Sequence, residues 1–321
     1  MNQMNSSDQL ANQAPDIFED IRCIVCKNQD KNLFSVKYQK DNCSIVECKT
    51  CSFHFIPPFY RKKIDYTKYK SQEVAEEVKK ADVWIKIQRN LLRYKLIHRY
   101  RNDGSVFDVG AGFGHFLLTG KQLDHEVFGV ELSQANVNFV RNVLNINIEN
   151  DSFLNIGEEK KYDIITLWDV LEHIDEGDKF IEKASRIINK GGYLFIQVPQ
   201  IDSFFASLLK EKWWAMGLDH VNYFSKKTIK KLLSSYGFET QKIKSSIELK
   251  NIYNYVIMPK LKRKKKSATQ ITTTERQKEF NKLTKKPRWL LWILVKFHNI
   301  LYITASFFHV GDEMIVVAEK K

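Results

Sequence analysis

The chain is 321 residues long, 43% hydrophobic and 12% aromatic, enough to bury one large core with a smaller module beside it and too apolar for a disordered chain. It carries a formal net charge of +13 and five cysteines, and residues 1–20, MNQMNSSDQLANQAPDIFED, have neither the basic start nor the apolar core of a secretory signal. These features argue against an exported disulfide framework. They predict a cytoplasmic protein whose thiols serve metal binding and whose first twenty residues are a flexible tail.

Two C-x-x-C pairs follow, Cys23 and Cys26 in CIVC and Cys48 and Cys51 in CKTC, with 21 residues between them. The spacing predicts a zinc ribbon over residues 21–56. Each pair turns through a knuckle that aims two thiolates at one tetrahedral ion, and four thiolates close the site to water, as in structural zinc centres. The gap slightly exceeds the usual ~15–20 residues. Four unrelated thiols and a redox dithiol are the alternatives, and two pairs are more than one dithiol needs. Cys43 is left over and is expected as an unligated strand or core residue. Residues 57–100, including DYTKYKSQEVAEEVKKADVWIKIQRNLLRYKLIHRY, read as a helical linker or cap.

From Ser105 to about Pro199 the chain alternates β and α signals, which predicts an α/β fold, a doubly wound parallel sheet with helices on both faces. The expected strands are SVFDV, EVFGVEL, INIEN (146–150), YDIITLWD and GYLFIQVP. Between them lie helices GHFLLTGKQL, SQANVNFVRNVL with Ser133 as N-cap, and EGDKFIEKASRIIN, which is expected to end on Gly191 and Gly192. VFDVGAGFGHF joins the first strand to the first helix through Gly110, Gly112 and Gly114. That G-x-G-x-G spacing departs from the G-x-G-x-x-G that seats a pyrophosphate. Glu131, 21 positions after Gly110, stands where an α/β nucleotide site keeps a carboxylate for ribose hydroxyls. Asp108, Glu131, Asp151 and Asp169 all fall at expected carboxyl ends of strands, where ligands collect in such sheets.

In VFDVGAGFG, VFGVELS, YDIITLWDVLEHIDE and INKGGYLFIQVP, residues 106–200 resemble the class I S-adenosylmethionine-dependent methyltransferases. DHVNYFSKKTIKKLLSSYGF (219–238) resembles the subgroup related to quinone-biosynthesis O-methyltransferases, members of which can carry an N-terminal zinc ribbon. The resemblance implies a Rossmann-like sheet closed by a reversed strand, which GDEMIVVAEK would supply, so that 101–254 and 311–321 form the methyltransferase domain. It implies that main chain at Gly110, Ala111, Gly112 and Gly114 lies against the cofactor, with Asp108 anchoring its amino-acid end. Glu131, followed by Leu132, would take the ribose hydroxyls, Asp151, Ser152 and Phe153 would border the adenine, and Leu167, Trp168 and Asp169 would pass beneath the sulfonium. The sulfonium methyl is already activated, so the protein must position a nucleophile and remove its proton. His173 in WDVLEHI and His220 in DHVNY are the candidate bases, and Glu172 either orients His173 or caps a turn.

The resemblance does not reach 255–310. Between Lys260 and Arg288, twelve Lys and Arg face two Glu, which accounts for most of the net charge. The following WLLWILVKFHNILYITASFF (289–308) is almost long enough to cross a bilayer. A single crossing would strand GDEMIVVAEK on the wrong side, so the expectation is a basic and apolar helical insertion. It either lies on an anionic membrane, making the protein peripheral at its inner face, or caps the substrate pocket. Nucleic acid is not an expected partner, because no base-stacking aromatics interleave the charge. The sequence thus predicts methyl transfer to an oxygen, less readily a carbon, of a small-molecule, glycan or lipid-linked acceptor. A noncatalytic docking protein with a vestigial cofactor site is the alternative, and a dehydrogenase fits the glycine spacing poorly.

Overall fold

The structure is a computed structural model, and residues 16–40, 42–61, 80–217, 219–246 and 311–321 are described. The expected insertion over 255–310, the expected tail up to residue 15 and the linker from 62 to 79 lie outside the described residues. After the Cys23–Cys26 knuckle the N-terminal part forms three antiparallel strands, β1 (Phe34–Lys40), β2 (Cys43–Cys48) and β3 (Phe53–Phe55), with the Cys48–Cys51 turn between β2 and β3. There follow α1 (Lys80–Ile97), β4 (Ser105–Val109), α2 (His115–Gln122), β5 (Glu126–Val130), α3 (Gln134–Asn142) and β6 (Tyr162–Trp168). The rest comprises α4 (Gly177–Ile187), β7 (Ile188–Pro199), α5 (Phe204–Leu209), β8 (Asn222–Tyr223), α6 (Lys226–Ser234), β9 (Phe238–Ser246) and β10 (Glu313–Lys320).

The main sheet has the order β5-β4-β6-β7-β10-β9. β5, β4, β6 and β7 are parallel, and β10 runs antiparallel between β7 and β9, the reversed strand that GDEMIVVAEK predicts. Every residue of β4 is buried, as expected of a parallel strand covered by helices on both faces. Side chains alternate between two cores. Phe107, Val109, Ile165 and Leu167 face α4, α6 and the ribbon, while Val106, Ile164, Trp168 and Phe195 face α1, α2 and α3.

Three sequence expectations change. INIEN is not a strand but a single bridge, Val130 to Glu149, because the Asn150 side-chain amide takes the Glu131 and Leu132 carbonyls and ends the ladder. The helix of EGDKFIEKASRIIN stops at Ile187, so Gly191 and Gly192 do not cap it. They lie inside β7, where pairing with β6 slips between Tyr162–Ile188 and Ile164–Tyr193, and Gly191 takes the excess backbone at φ +74°. β9 is a strand that the sequence did not announce.

The ribbon is not an independent bead. β8 from the main domain adds to it as a fourth strand, in the order β1-β2-β3-β8. On the other side Arg22 and Lys27 both pair with Asp178, a buried carboxylate in the first turn of α4.

Candidate functional site

β4 ends in the glycine loop, where Gly110, Gly112 and Gly114 have φ of +71°, +52° and +68°, a region that residues with a Cβ seldom enter. The three glycines nevertheless do different work. A Cβ on Gly110 would stand 2.9 Å from Val170 Cγ2, and one on Gly114 2.8 Å from Val140 Cγ2, so these two permit close packing. A Cβ on Gly112 would meet nothing within 4 Å, so here the bare main chain borders open space that a ligand could occupy. Four of the loop's amides already have partners. Gly110 and Ala111 donate to the Val130 carbonyl at 2.9 and 3.1 Å, Gly114 to that of Ala111 at 2.9 Å, and Gly112 to Glu131 Oε2 at 2.8 Å. A pyrophosphate seat needs such amides to point outward.

Glu131 follows β5. Its second oxygen, Oε1, accepts from the N–H of Ser133 at 2.8 Å, so the carboxylate ties the glycine loop to the N-cap of α3 and keeps lone pairs for further donors. Leu132 beside it is 42% exposed. Asp151 and Ser152 lie on the neighbouring loop. Asp151 Oδ1 accepts from the Ser152 N–H and the Asn155 side chain, while Phe153 turns inward against Phe107 and Phe180 and is buried. Of that trio only Asp151 and Ser152 are left to face a ligand.

Asp108 is buried within β4 rather than exposed at its tip, and it accepts a 2.6 Å hydrogen bond from Thr166 Oγ1 on β6. At the end of β6, Trp168 is buried and its Nε1 has no hydrogen-bond partner among the described residues. Asp169 is held at φ +60°, unusual for an aspartate outside a turn and the kind of strain found at binding sites. Sequence reasoning missed the residue beneath them. Arg93 of α1 lies flat over Trp168, its guanidinium carbon 4.3 Å from the ring centroid, and donates to Asp169 Oδ2 at 3.3 Å and Gln197 Oε1 at 2.9 Å. Gln197 in turn donates to Glu313 Oε2 at 3.0 Å. In IQRNLLRYKLIHRYR one arginine looks like the next; only burial singles this one out.

A second cluster forms where the turn Leu171–His173 meets the loop before β8. His173 Nδ1 lies 2.7 Å from the Asp219 carbonyl and His220 Nδ1 2.9 Å from the Ala215 carbonyl. A carbonyl can only accept, so each ring carries its proton on Nδ1 and presents Nε2 as a base or a ligand. The rings are 4.7 Å apart edge to face, and donor atoms of Glu172, His173 and His220 all lie within 4.8 Å of one another. Burial holds His220 down to about 4, helped by His173, while burial and the nearby Asp169 push Glu172 well above the carboxylate range. Near neutral pH His220 is therefore uncharged, with the Nε2 lone pair unprotonated and its basicity reduced by burial.

The four ribbon cysteines converge as well, Cys23 Sγ 3.6 Å from Cys51 Sγ and Cys26 Sγ 3.6 Å from Cys48 Sγ, all within 4.8 Å of one another. Cys43 is buried at the start of β2, outside this set.

A family profile described as a methyltransferase domain matches residues 81–243, just over half of the chain. The chain belongs to the methyltransferase-domain family. Among characterised relatives, the ubiquinone biosynthesis O-methyltransferase of Pelagibacter ubique is 28% identical over 96 residues, 28% of this chain and 40% of that protein. The one from Coxiella burnetii is 33% identical over 98 residues, 28% and 41% respectively. The chain thus spans about two fifths of the length of these relatives. A SAM-dependent methyltransferase from Archaeoglobus fulgidus is a similar solved structure, at 18% identity and a TM-score of 0.49, covering 78% of this chain and 100% of the other. The methyltransferase domain accounts for everything from Arg93 to His220 and leaves the cluster of four cysteines outside it.

Within this methyltransferase domain Asp108 gives a direct test of the site's electrostatics. Burial pushes its carboxyl up to about 7, against the Thr166 hydrogen bond and the field of Arg93. The folded protein therefore keeps a proton that the unfolded chain loses at pH ~3.9, and the group's contribution to stability declines as pH rises from about 4 to 7. Asp108→Asn removes that titration. Denaturant experiments between pH 4.5 and 6.5 should show the variant's stability falling less steeply, by about 1.4 kcal/mol per pH unit.

Proposed function

We propose that this protein transfers a methyl group from S-adenosylmethionine to an oxygen of a small-molecule acceptor. The open space beside Gly112, next to a carboxylate that already holds the loop through the Gly112 amide, is the observation that carries the reading. The residues present suit an adenosyl sulfonium. Glu131 has acceptor capacity for two ribose hydroxyls, Gly112 lets main chain approach, and Asp151 and Ser152 border the base. Buried Asp108 and the unpartnered Trp168 Nε1 offer a carboxyl and an N–H donor to the amino-acid end. Leu132 flanks the ribose side, and Leu167, buried in β6 next to Trp168 in sequence, points to the opposite face of the sheet.

When bound, S-adenosylmethionine supplies a methyl already activated on sulfur. What remains for the protein is to hold the acceptor in line, which can lower a barrier by about 7–11 kcal/mol, and to take its proton. His173 and His220 do the second, each presenting Nε2, while Arg93 fixes Asp169 and Trp168 at the end of β6. The similarity to O-methyltransferases supports oxygen over carbon as the receiving atom.

The acceptor is proposed to be small and, on the charge of residues 260–308, presented at an anionic surface. No described helix is long and apolar enough to cross a membrane, and 260–308 lies outside the described residues. A zinc ion is proposed for the four-cysteine cluster, because four converging thiols with no carboxylate and no open position match a structural centre.

Calorimetry with S-adenosylhomocysteine and NADH tests the cofactor: wild type should bind the first and ignore the second. Gly112→Ala should lose S-adenosylhomocysteine affinity at least tenfold at a stability cost of about 1–2 kcal/mol from the left-handed backbone. Binding of NADH, or unchanged affinity in the variant, refutes the reading. With labelled cofactor and a panel of catechols, sugars and polyprenol-linked glycans, His220→Gln should cut turnover by about 10²–10⁴ and leave S-adenosylhomocysteine affinity intact. Flotation with liposomes should carry the protein when anionic lipid is present and fail after removal of 260–308.

A further inference from the structure

The ribbon and the acceptor side of the site share one sheet and one core. β3 pairs with β8, His54 opposite Tyr223 and Phe55 opposite Asn222, and Cys48 is opposite Phe53 on the next ladder inward. The backbone continues the seam: Ile56 N–H donates to the Val221 carbonyl at 2.9 Å and Val221 N–H to the Glu172 carbonyl at 2.8 Å. Asn222 Nδ2 donates to the carbonyls of Leu171 and Ile174 at 3.1 and 2.7 Å, which holds the turn bearing His173. Under the loop before β8, ribbon residues Cys43, Ile45 and Ile56 pack in one cluster with Trp213, Ala215, Met216 and Tyr223, and Lys40 of β1 donates to the Met216 carbonyl. His220 hangs from that same loop through Ala215.

The cofactor half is built differently. The glycine loop and Glu131 make their hydrogen bonds and closest contacts to Val130, Ser133, Val140, Leu144 and Val170 of the main domain, and meet the ribbon by apolar packing alone, through the cluster that Val130 and Val170 share with Cys23, Cys48 and Cys51. A module of three short strands cannot bury enough apolar surface to hold its shape alone, and four thiols that converge without a metal provide no substitute.

We propose that the metal held by Cys23, Cys26, Cys48 and Cys51 sets the acceptor half of the site and not the cofactor half. It fixes the ribbon, the ribbon fixes residues 213–217 and 219–224, and these aim His220 Nε2. Asn222 is the positioning residue at the joint. The word "acceptor" rests on the methyl-transfer reading; the coupling itself is read without substrate, so the two can fail separately.

The test uses the full chain, purified with zinc supplied, and compares it with the same protein stripped by a chelator under reducing conditions. The zinc-supplied protein should hold one metal per chain. Amide hydrogen exchange in the 213–224 segment should accelerate at least tenfold on stripping, while exchange over 105–131 and the affinity for S-adenosylhomocysteine stay within twofold. Asn222→Ala should keep its zinc and still speed exchange over 213–224 and 171–174. Absence of bound metal, unchanged protection of 213–224 in the stripped protein or in Asn222→Ala, or parallel loss of S-adenosylhomocysteine affinity would each overturn the proposal. So would unfolding of the whole chain on stripping.

Discussion

One carboxylate organises the glycine-loop end of the sheet. Glu131 accepts from Gly112 on the loop after β4 and from Ser133 at the start of α3, so two neighbouring crossovers of the sheet are joined at a single side chain. A loop with three left-handed glycines has many conformations open to it in the unfolded chain, and it needs such an anchor to keep one. The same anchor faces the space beside Gly112. The interaction that shapes the loop therefore also defines what the loop can receive.

The rest of the sheet distributes function along its carboxyl edge. Asp108 and Asp169 sit on or just beyond adjacent strands, and Arg93 reaches them from α1, with Gln197 and Glu313 continuing the chain of partners toward β10. The buried Arg93 guanidinium pairs with the part-exposed Asp169 carboxylate, and its place over the Trp168 ring fixes its position. The two histidines are hung from backbone carbonyls of the loop before β8, which packs against the ribbon. The proposed cofactor and acceptor sides thereby rest on different hydrogen-bonded supports.

Part of this was legible because certain needs can be met by only one residue type. Left-handed turns demand glycine, so G-x-G-x-G reads directly, and a tetrathiolate cluster demands two close pairs of cysteines. The alternating strands follow from periodicity, and the reversed last strand from the family resemblance. What escaped depends on competition that periodicity does not record. Asn150 breaks off a strand by satisfying carbonyls with its side chain, and Gly191–Gly192 serve a slipped register inside β7 although the same pair could cap a helix. β8 is two residues long, too short for any pattern, yet it unites the ribbon with the main domain. Arg93 is one arginine in a basic helix until its burial is known.

The account stands on Glu131 as the shared support of loop and ligand, and Glu131→Gln probes it with the least change in shape. Calorimetric titration of the wild-type protein and this variant with S-adenosylhomocysteine, with amide exchange over 213–224 as a check that the fold persists, is the direct measurement. The account predicts tight binding to wild type and at least a tenfold loss in the variant. Equal affinity in the two proteins, with the fold intact, would contradict it.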